Sequence, residues 1–152
     1  DQDVDKPHSV EKEYDVSFIG NVYGDRAELL RQIKHPVKII RGAYGPTHAL
    51  EVSKSRINLN FCTSEGASDR VYKVMAAGGL LISNDWKGRS EHFINGKDCV
   101  IFKDIGDLND KIEFYLKNPE MVEMISKYGH QTVKKFNRLN WAKKIVEHFY
   151  EA

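Results

Sequence analysis

The sequence predicts an α/β fold, a Rossmann-like doubly wound parallel sheet of about five strands. Three observations predict it. From Asp15 onward, short apolar runs alternate with helical patterns, the rhythm that builds a parallel sheet through right-handed crossovers. Leu80-Leu81-Ile82 is an unbroken apolar run, as suits a strand covered on both faces. Gly78-Gly79 separates that run from the helical pattern before it. Glycine there tolerates the left-handed conformation of a helix C-cap.

Taken in order, Asp1 to Tyr14 is charged, contains Pro7 and has no apolar period, so residues 1–14 read as a linker or disordered tail. The folded domain is expected over 15–152. Asp15 to Gly20 is the first strand and Asn21 to Gly24 its turn. Asp25 is placed to cap a helix through Lys34, with Ala27, Leu30 and Ile33 on one face. Val37 to Ile40 is the second strand. Arg41 to Pro46 is a loop, and Thr47 is placed to cap a short helix to Ser55. Ile57 to Phe61 is the third strand. Asp69 to Ala77 is helical, with Val71, Val74, Met75 and Gly78 on one face. Leu80 to Ile82 is the fourth strand, and Asn84 to Glu91 a polar loop. Glu91 to Ile94 begins a helical turn, Asn95-Gly96 signals a turn, and Asp98 to Phe102 is the fifth strand. Asp107 is placed to cap a helix bearing Leu108, Ile112, Tyr115 and Leu116. Asn118-Pro119 opens the next helix, with Met121, Met124, Ile125, Tyr128 and Thr132 in period. Trp141, Ile145 and Phe149 stripe the last helix; these stripes read as core or docking surface.

Composition narrows the function. The 152 residues suffice for one core. With 23 basic and 22 acidic residues the net charge is +1, so no global field recruits nucleic acid or membrane. Cys62 and Cys99 lack metal-ligand spacing and read as buried free thiols. No run reaches the roughly 18 apolar residues of a membrane span. No signal peptide is visible and no initiator Met is present, which reads as a cytoplasmic protein, peripheral at most at the inner face of the membrane, or an excised part of one. No G-x-G-x-x-G follows the first strand, which counts against a dinucleotide cofactor. Both loops of the strand-loop-helix-strand-loop unit from Ile57 to Glu91 lie at carboxyl ends of parallel strands, where open α/β sheets bind ligands.

The stretch Thr63 to Glu91 carries a resemblance. Ser64-Glu65-Gly66, Met75-Ala76-Ala77-Gly78 and Ser90-Glu91 match, in order, the motifs of the group 1 glycosyl transferases of GT-B fold. The chain resembles their C-terminal, donor-binding half. Arg70 to Gly79 is most similar to the spore-maturation branch, except that Lys73 stands where the family has its second glutamate. The resemblance runs from about Val16 to the C-terminus. It implies one half of a GT-B glycosyltransferase of the retaining type. The substrate would be a nucleotide diphosphate sugar, with no metal cofactor. A preceding N-terminal acceptor-binding domain would be the partner, and the last helix would pack on it.

The resemblance also assigns roles. Glu65 inherits the place of the glutamate at the donor sugar and is the catalytic candidate. Gly20, Asn21 and Arg26 fall on the turn where the family meets the donor's diphosphate, Arg26 replacing its lysine. Gly66, Arg70, Lys73, Arg89 and Glu91 complete the donor-binding set. Lys73 cannot accept bonds from ribose hydroxyls and is placed to contact a phosphate. The family's usual extra strand and helix near residue 41 is absent, so Arg41, Tyr44 and His48 are nucleotide-base candidates by position alone.

The residues supply a chemical rationale. Breaking the bond between an anomeric carbon and a diphosphate develops positive charge on the sugar and negative charge on the leaving group. Without a metal, cations and helix N–H groups must meet the latter. Each residue also has a plain reading: Glu65 a loop carboxylate, Arg26, Arg70 and Lys73 solvated charges, Glu91 a residue favoured by a helix dipole. An alternative function is a non-catalytic nucleotide or sugar-phosphate binding module, since Lys73 breaks the motif. A receiver-like signalling domain is disfavoured because the first strand ends in Gly20-Asn21 rather than an acidic pair.

Overall fold

The computed structural model describes residue 1 and residues 3–150. Five parallel strands form one sheet: β1 (Tyr14–Ile19), β2 (Lys38–Ile40), β3 (Ser55–Asn60), β4 (Leu80–Asn84) and β5 (Val100–Phe102). Their order is β2-β1-β3-β4-β5. Ser17 pairs with Lys38 on one side, and Ser17 with Asn58 on the other. The strand connections carry α1 (Asp25–Arg31), α2 (Gly45–Lys54) and α3 (Asp69–Ala76), with a 3₁₀ turn between β4 and β5; α4 (Ile105–Lys117), α5 (Pro119–Val133) and α6 (Arg138–Tyr150) follow the last strand. The chain reverses direction of travel across the sheet between β1 and β3. That is the topological switch point, where open sheets leave a crevice.

Strand periodicity sorts the core. Val16, Phe18, Ile57, Leu59, Leu80 and Ile82 point to the face covered by α1, α4 and α5, against Leu30, Leu108, Ile112 and Ile125. Ile19, Leu81 and Ile101 point to the other face, against Val52 of α2 and Val71, Val74 and Met75 of α3. Residues of opposite parity on one strand reach opposite faces. This second face also carries buried polar groups. Ser55 donates to Ser17 Oγ at 2.5 Å, and Ser17 to Asn58 Oδ1 at 3.3 Å. Gly79 lets α2, α3 and β3 converge: a Cβ there would lie 2.5 Å from Val52 Cγ1 and 2.7 Å from Asn58 Nδ2.

Several helix starts differ from the sequence reading. Gly24, with φ 54°, precedes α1, so Asp25 is its first residue rather than its cap, and the helix ends at Arg31. Tyr44 precedes α2, and Pro46 sits in its first turn, displacing Thr47 inward. Proline at a first turn forfeits no hydrogen bond. Asp104, not Asp107, caps α4 by accepting the Asp107 N–H at 2.9 Å, while Asp107 accepts the Lys103 N–H at 2.9 Å. The turn expected from Glu91 is a 3₁₀ turn at Arg89–Glu91. Cys62 lies just past β3 and is half-buried; Cys99 just precedes β5 and is buried. Burial pushes the Cys99 thiol pKa up to about 12.

The segment read as a tail is laid along the domain. The His8 N–H donates to Ser53 Oγ at 3.0 Å, and Lys12 Nζ donates to the Ser53 and Ser55 carbonyls at 2.7 and 2.9 Å. Asp5 is buried, and Pro7 packs on Gly78.

Candidate donor-binding site

At the carboxyl end of β1 the chain turns at Gly20, whose φ of 148° suits glycine. The Arg70 guanidinium occupies the space where a Cβ at Gly20 would stand. Arg70 comes from the first turn of α3. Its Nη1 donates to Asn60 Oδ1 at 3.0 Å, and its guanidinium lies 5.0 Å from the Phe18 ring centroid. Asn60 ends β3, fully buried, with every polar group used. Its Oδ1 also accepts from Ser68 Oγ at 3.1 Å, and its Nδ2 donates to Ser83 Oγ at 3.0 Å and Cys62 Sγ at 3.2 Å.

Arg26 comes from α1 on the other side of β1. Its side chain is buried, not solvated; its Nη2 donates to the Phe61 carbonyl at 3.3 Å and its guanidinium lies over the Tyr23 ring. Its Nε has no hydrogen-bond partner among the described residues. Burial first, and the Arg26 charge second, hold the Arg70 pKa below the ordinary arginine value. Arg31, Arg56 and Arg89 each pair with a carboxylate. Arg26 and Arg70 pair with none among the described residues. Two cations near each other, desolvated and without a counter-charge, favour an anion between or beside them.

A cavity of about 190 Å³ opens beside this pair, lined by Gly20, Asn21, Tyr44, His48, Arg70 and Lys73 among others. Lys73 Nζ lies 3.7 Å from Asp69 Oδ2, one helical turn back and largely exposed. His48, from α2, is 7% exposed, and its Nδ1 has no hydrogen-bond partner among the described residues. Burial, Lys73 and Arg70 lower its pKa to about 4 against the opposing pull of Asp5, so the imidazole is neutral at pH 7. A larger hollow of about 390 Å³ lies between Lys34–Pro36 and α4. It is remote from the switch point and from every motif residue, so we assign it no ligand.

The remaining motif residues stand on two loops beyond β3 and β4. Asn84 ties the loops together, accepting the Cys62 N–H at 2.7 Å and donating to the Cys62 carbonyl at 2.9 Å. The Lys87 N–H donates to the Glu65 carbonyl at 2.6 Å. The Glu65 side chain is 88% exposed, 4.0 Å from Lys87 Nζ, and does not line the cavity. Nothing crowds Gly66. Arg89 is engaged by Asp85, with Nε–Oδ1 2.7 Å and Nη2–Oδ2 3.2 Å, and by the Phe93 carbonyl. Glu91 is exposed on the 3₁₀ turn.

Of the sequence candidates, the structure brings Gly20, Asn21, Arg70 and Lys73 to one cavity with Arg26 behind them. Glu65, Gly66, Arg89 and Glu91 lie outside it. Asn60, which accepts from Arg70, and Ser68, which donates to the same Asn60 oxygen, are not among the sequence candidates. The available signal was asparagine at alternate positions of a central strand, Asn58 and Asn60, since a buried polar side chain needs partners. Among the described residues no group of three or more potential metal ligands exists, and no helix is long and apolar enough to cross a membrane.

A family model described as glycosyl transferase-like matches residues 6–147. Comparison with curated protein sequences finds no match. Among solved structures, the Anabaena protein HepE in complex with UDP and glucose superposes with a TM-score of 0.71 at 12% identity, over 91% of this chain and 41% of that one. The sucrose-phosphate synthase of Thermosynechococcus elongatus gives 0.69 at 17% identity, over 89% and 37%. The C-terminal domain of a glycosyl transferase group 1 family protein (LpcC) from Francisella tularensis gives 0.67 at 12% identity, over 89% and 96%. This chain thus spans about two fifths of the first two proteins and nearly all of an isolated C-terminal domain, and it shares their fold.

Proposed function

Because the chain belongs to the glycosyl transferase-like family, we propose that it is the donor-binding domain of a retaining glycosyltransferase acting on a nucleoside diphosphate sugar. One observation carries the reading: at the β1/β3 switch point the half-buried Arg70, without a carboxylate partner among the described residues, faces a glycine turn and an open cavity, and the buried Arg26 adds a second cation acting on it. A diphosphate there supplies the missing counter-charge. As the glycosidic bond breaks, the same guanidiniums stabilise the leaving diphosphate, with no metal required. Likeness in fold to HepE, solved with UDP and glucose, supports the choice of ligand.

In this reading the diphosphate lies across Gly20 and Arg70, with Asn21 and Lys73 at its flank. The donor sugar extends toward the loop bearing Glu65 and Gly66, where the Glu65 carboxylate accepts hydrogen bonds from sugar hydroxyls. Glu91 stands on the adjoining loop, and Arg89 shapes that loop through Asp85. The acceptor, a glycan or other hydroxyl compound, is bound by an N-terminal domain of the same protein, against which the exposed face of α6 packs. The spore-maturation branch of the family, a cytoplasmic site and peripheral attachment at the inner membrane face belong to the same proposal.

A second reading has its own observation. Lys73 stands in place of a carboxylate, and Glu65 lies outside the cavity. Both suit a non-catalytic nucleotide or sugar-phosphate binding module. Calorimetric titration with uridine and guanosine diphosphates tests the shared site. Arg70→Ala should lose about 1.5–3 kcal/mol of binding, the worth of a hydrogen bond to a charged group, and the wild-type affinity should fall with salt. Unchanged affinity in Arg70→Ala would refute the anion site. Sugar transfer by the full-length parent then separates enzyme from binding module.

A further inference from the structure

An arginine that takes up an anion must be held still without being neutralised. Arg31, Arg56 and Arg89 each rest on a carboxylate, which orients the guanidinium and cancels its charge. Arg70 rests on an amide instead. Its Nη1 donates to Asn60 Oδ1 at 3.0 Å, and it meets no carboxylate among the described residues. Arginine only donates, so the amide oxygen, not the amide nitrogen, must face it.

The amide cannot turn. Asn60 is 0% exposed at the last position of β3. Ser68, just ahead of α3, donates to the same oxygen at 3.1 Å. The amide nitrogen donates to Ser83 Oγ of β4 at 3.0 Å and to Cys62 Sγ at 3.2 Å. The Phe18 ring and the bare Gly20 backbone close two further sides of the guanidinium, which still lines the cavity. Aspartate has the shape of asparagine. Since the cation is already partly desolvated, a carboxylate in that place would compensate it and stabilise the fold. An amide forgoes that gain, as sites kept for function often do.

We propose that Asn60 is a positioning residue that holds Arg70 against the cavity while leaving its charge uncompensated for a diphosphate; the ligand in this statement rests on the anion site proposed above. Asn60 itself touches no ligand. It acts through Arg70, by supplying a fixed acceptor that carries no charge.

Isothermal titration with inorganic diphosphate, paired with thermal unfolding, tests this on wild type, Asn60→Asp, Arg70→Gln and the double variant. Asn60→Asp should bind diphosphate about tenfold more weakly than wild type, yet melt at a higher temperature. In the Arg70→Gln background the same change should leave affinity unmoved and lower the melting temperature, because the carboxylate is then buried without a cation. An asparagine that served packing alone would shift both backgrounds alike. An Asn60→Asp protein that unfolds, melts below wild type or binds diphosphate as wild type does would overturn the proposal. So would equal melting shifts in the two backgrounds. If Arg70→Gln binds as tightly as wild type, or wild type does not bind at all, the anion site itself fails. That outcome is distinct, because the melting temperatures need no ligand and still report whether Asn60 leaves Arg70 uncompensated.

Discussion

Burial, Lys73 and Arg70 hold the His48 pKa at about 4, Asp5 opposing them, whereas a histidine in the unfolded chain titrates near 6.5. Between those values the unfolded chain binds a proton that the folded chain refuses, so stability rises with pH across the window. The full effect is felt below about pH 4, where it amounts to a loss of about 3 kcal/mol relative to pH 7. Urea denaturation at pH 7, 5.5 and 4.5 should show wild type losing stability more steeply than His48→Leu; parallel losses would mean that His48 is not the responsible group. At this scale the sequence was partly legible. Arg70 and Lys73 were found because the motif order fixes their helix. His48 was placed by loop position alone, since the cations beside it come from α3, a segment distant in sequence. Spacing makes Arg26 a helix-surface charge or a ligand, and does not reveal the Phe61 carbonyl and Tyr23 ring that surround it.

All five strands and all six helices were legible as elements, because each carries its own apolar period. Their starts were not. Asp25, Thr47 and Asp107 are good capping residues, yet Gly24, Tyr44 and Asp104 hold the cap positions; several suitable residues within one turn compete, and tertiary packing chooses. Helix α6 shows the complementary limit. Its stripe was plain in the sequence, but none of its 13 residues is buried. Trp141 is 68% and Phe149 76% exposed. An apolar face left in water favours association. The isolated chain should therefore self-associate with rising concentration in sedimentation velocity. A Trp141→Gln, Phe149→Gln double variant should stay monomeric with a thermal midpoint close to wild type, because exposed positions contribute within about 0.5 kcal/mol each. A large drop in midpoint would show that the face is packed within the chain.

For the whole molecule, the alternation of elements announced a parallel sheet, and the order β2-β1-β3-β4-β5 then places Gly20, Asn60 and Arg70 at one crevice. The order itself was not legible, because each crossover is compatible with more than one neighbour until the faces are packed. Transfer needs donor, acceptor and catalytic groups held together, and the chain spans 41% of HepE. The isolated chain is thus expected to bind nucleotide without turnover; measurable transfer to any acceptor by this chain alone would contradict the half-enzyme reading. The sheet has a further consequence, for handling and folding. Both of its borders, Lys38–Ile40 and Val100–Phe102, are three residues long, and Pro36 lies just ahead of the first. A foreign strand finds little unpaired backbone there to register against, and short borders of this kind resist templated pairing. Short borders thus blunt both edges of the open sheet, which disfavours amyloid-like growth from the native state.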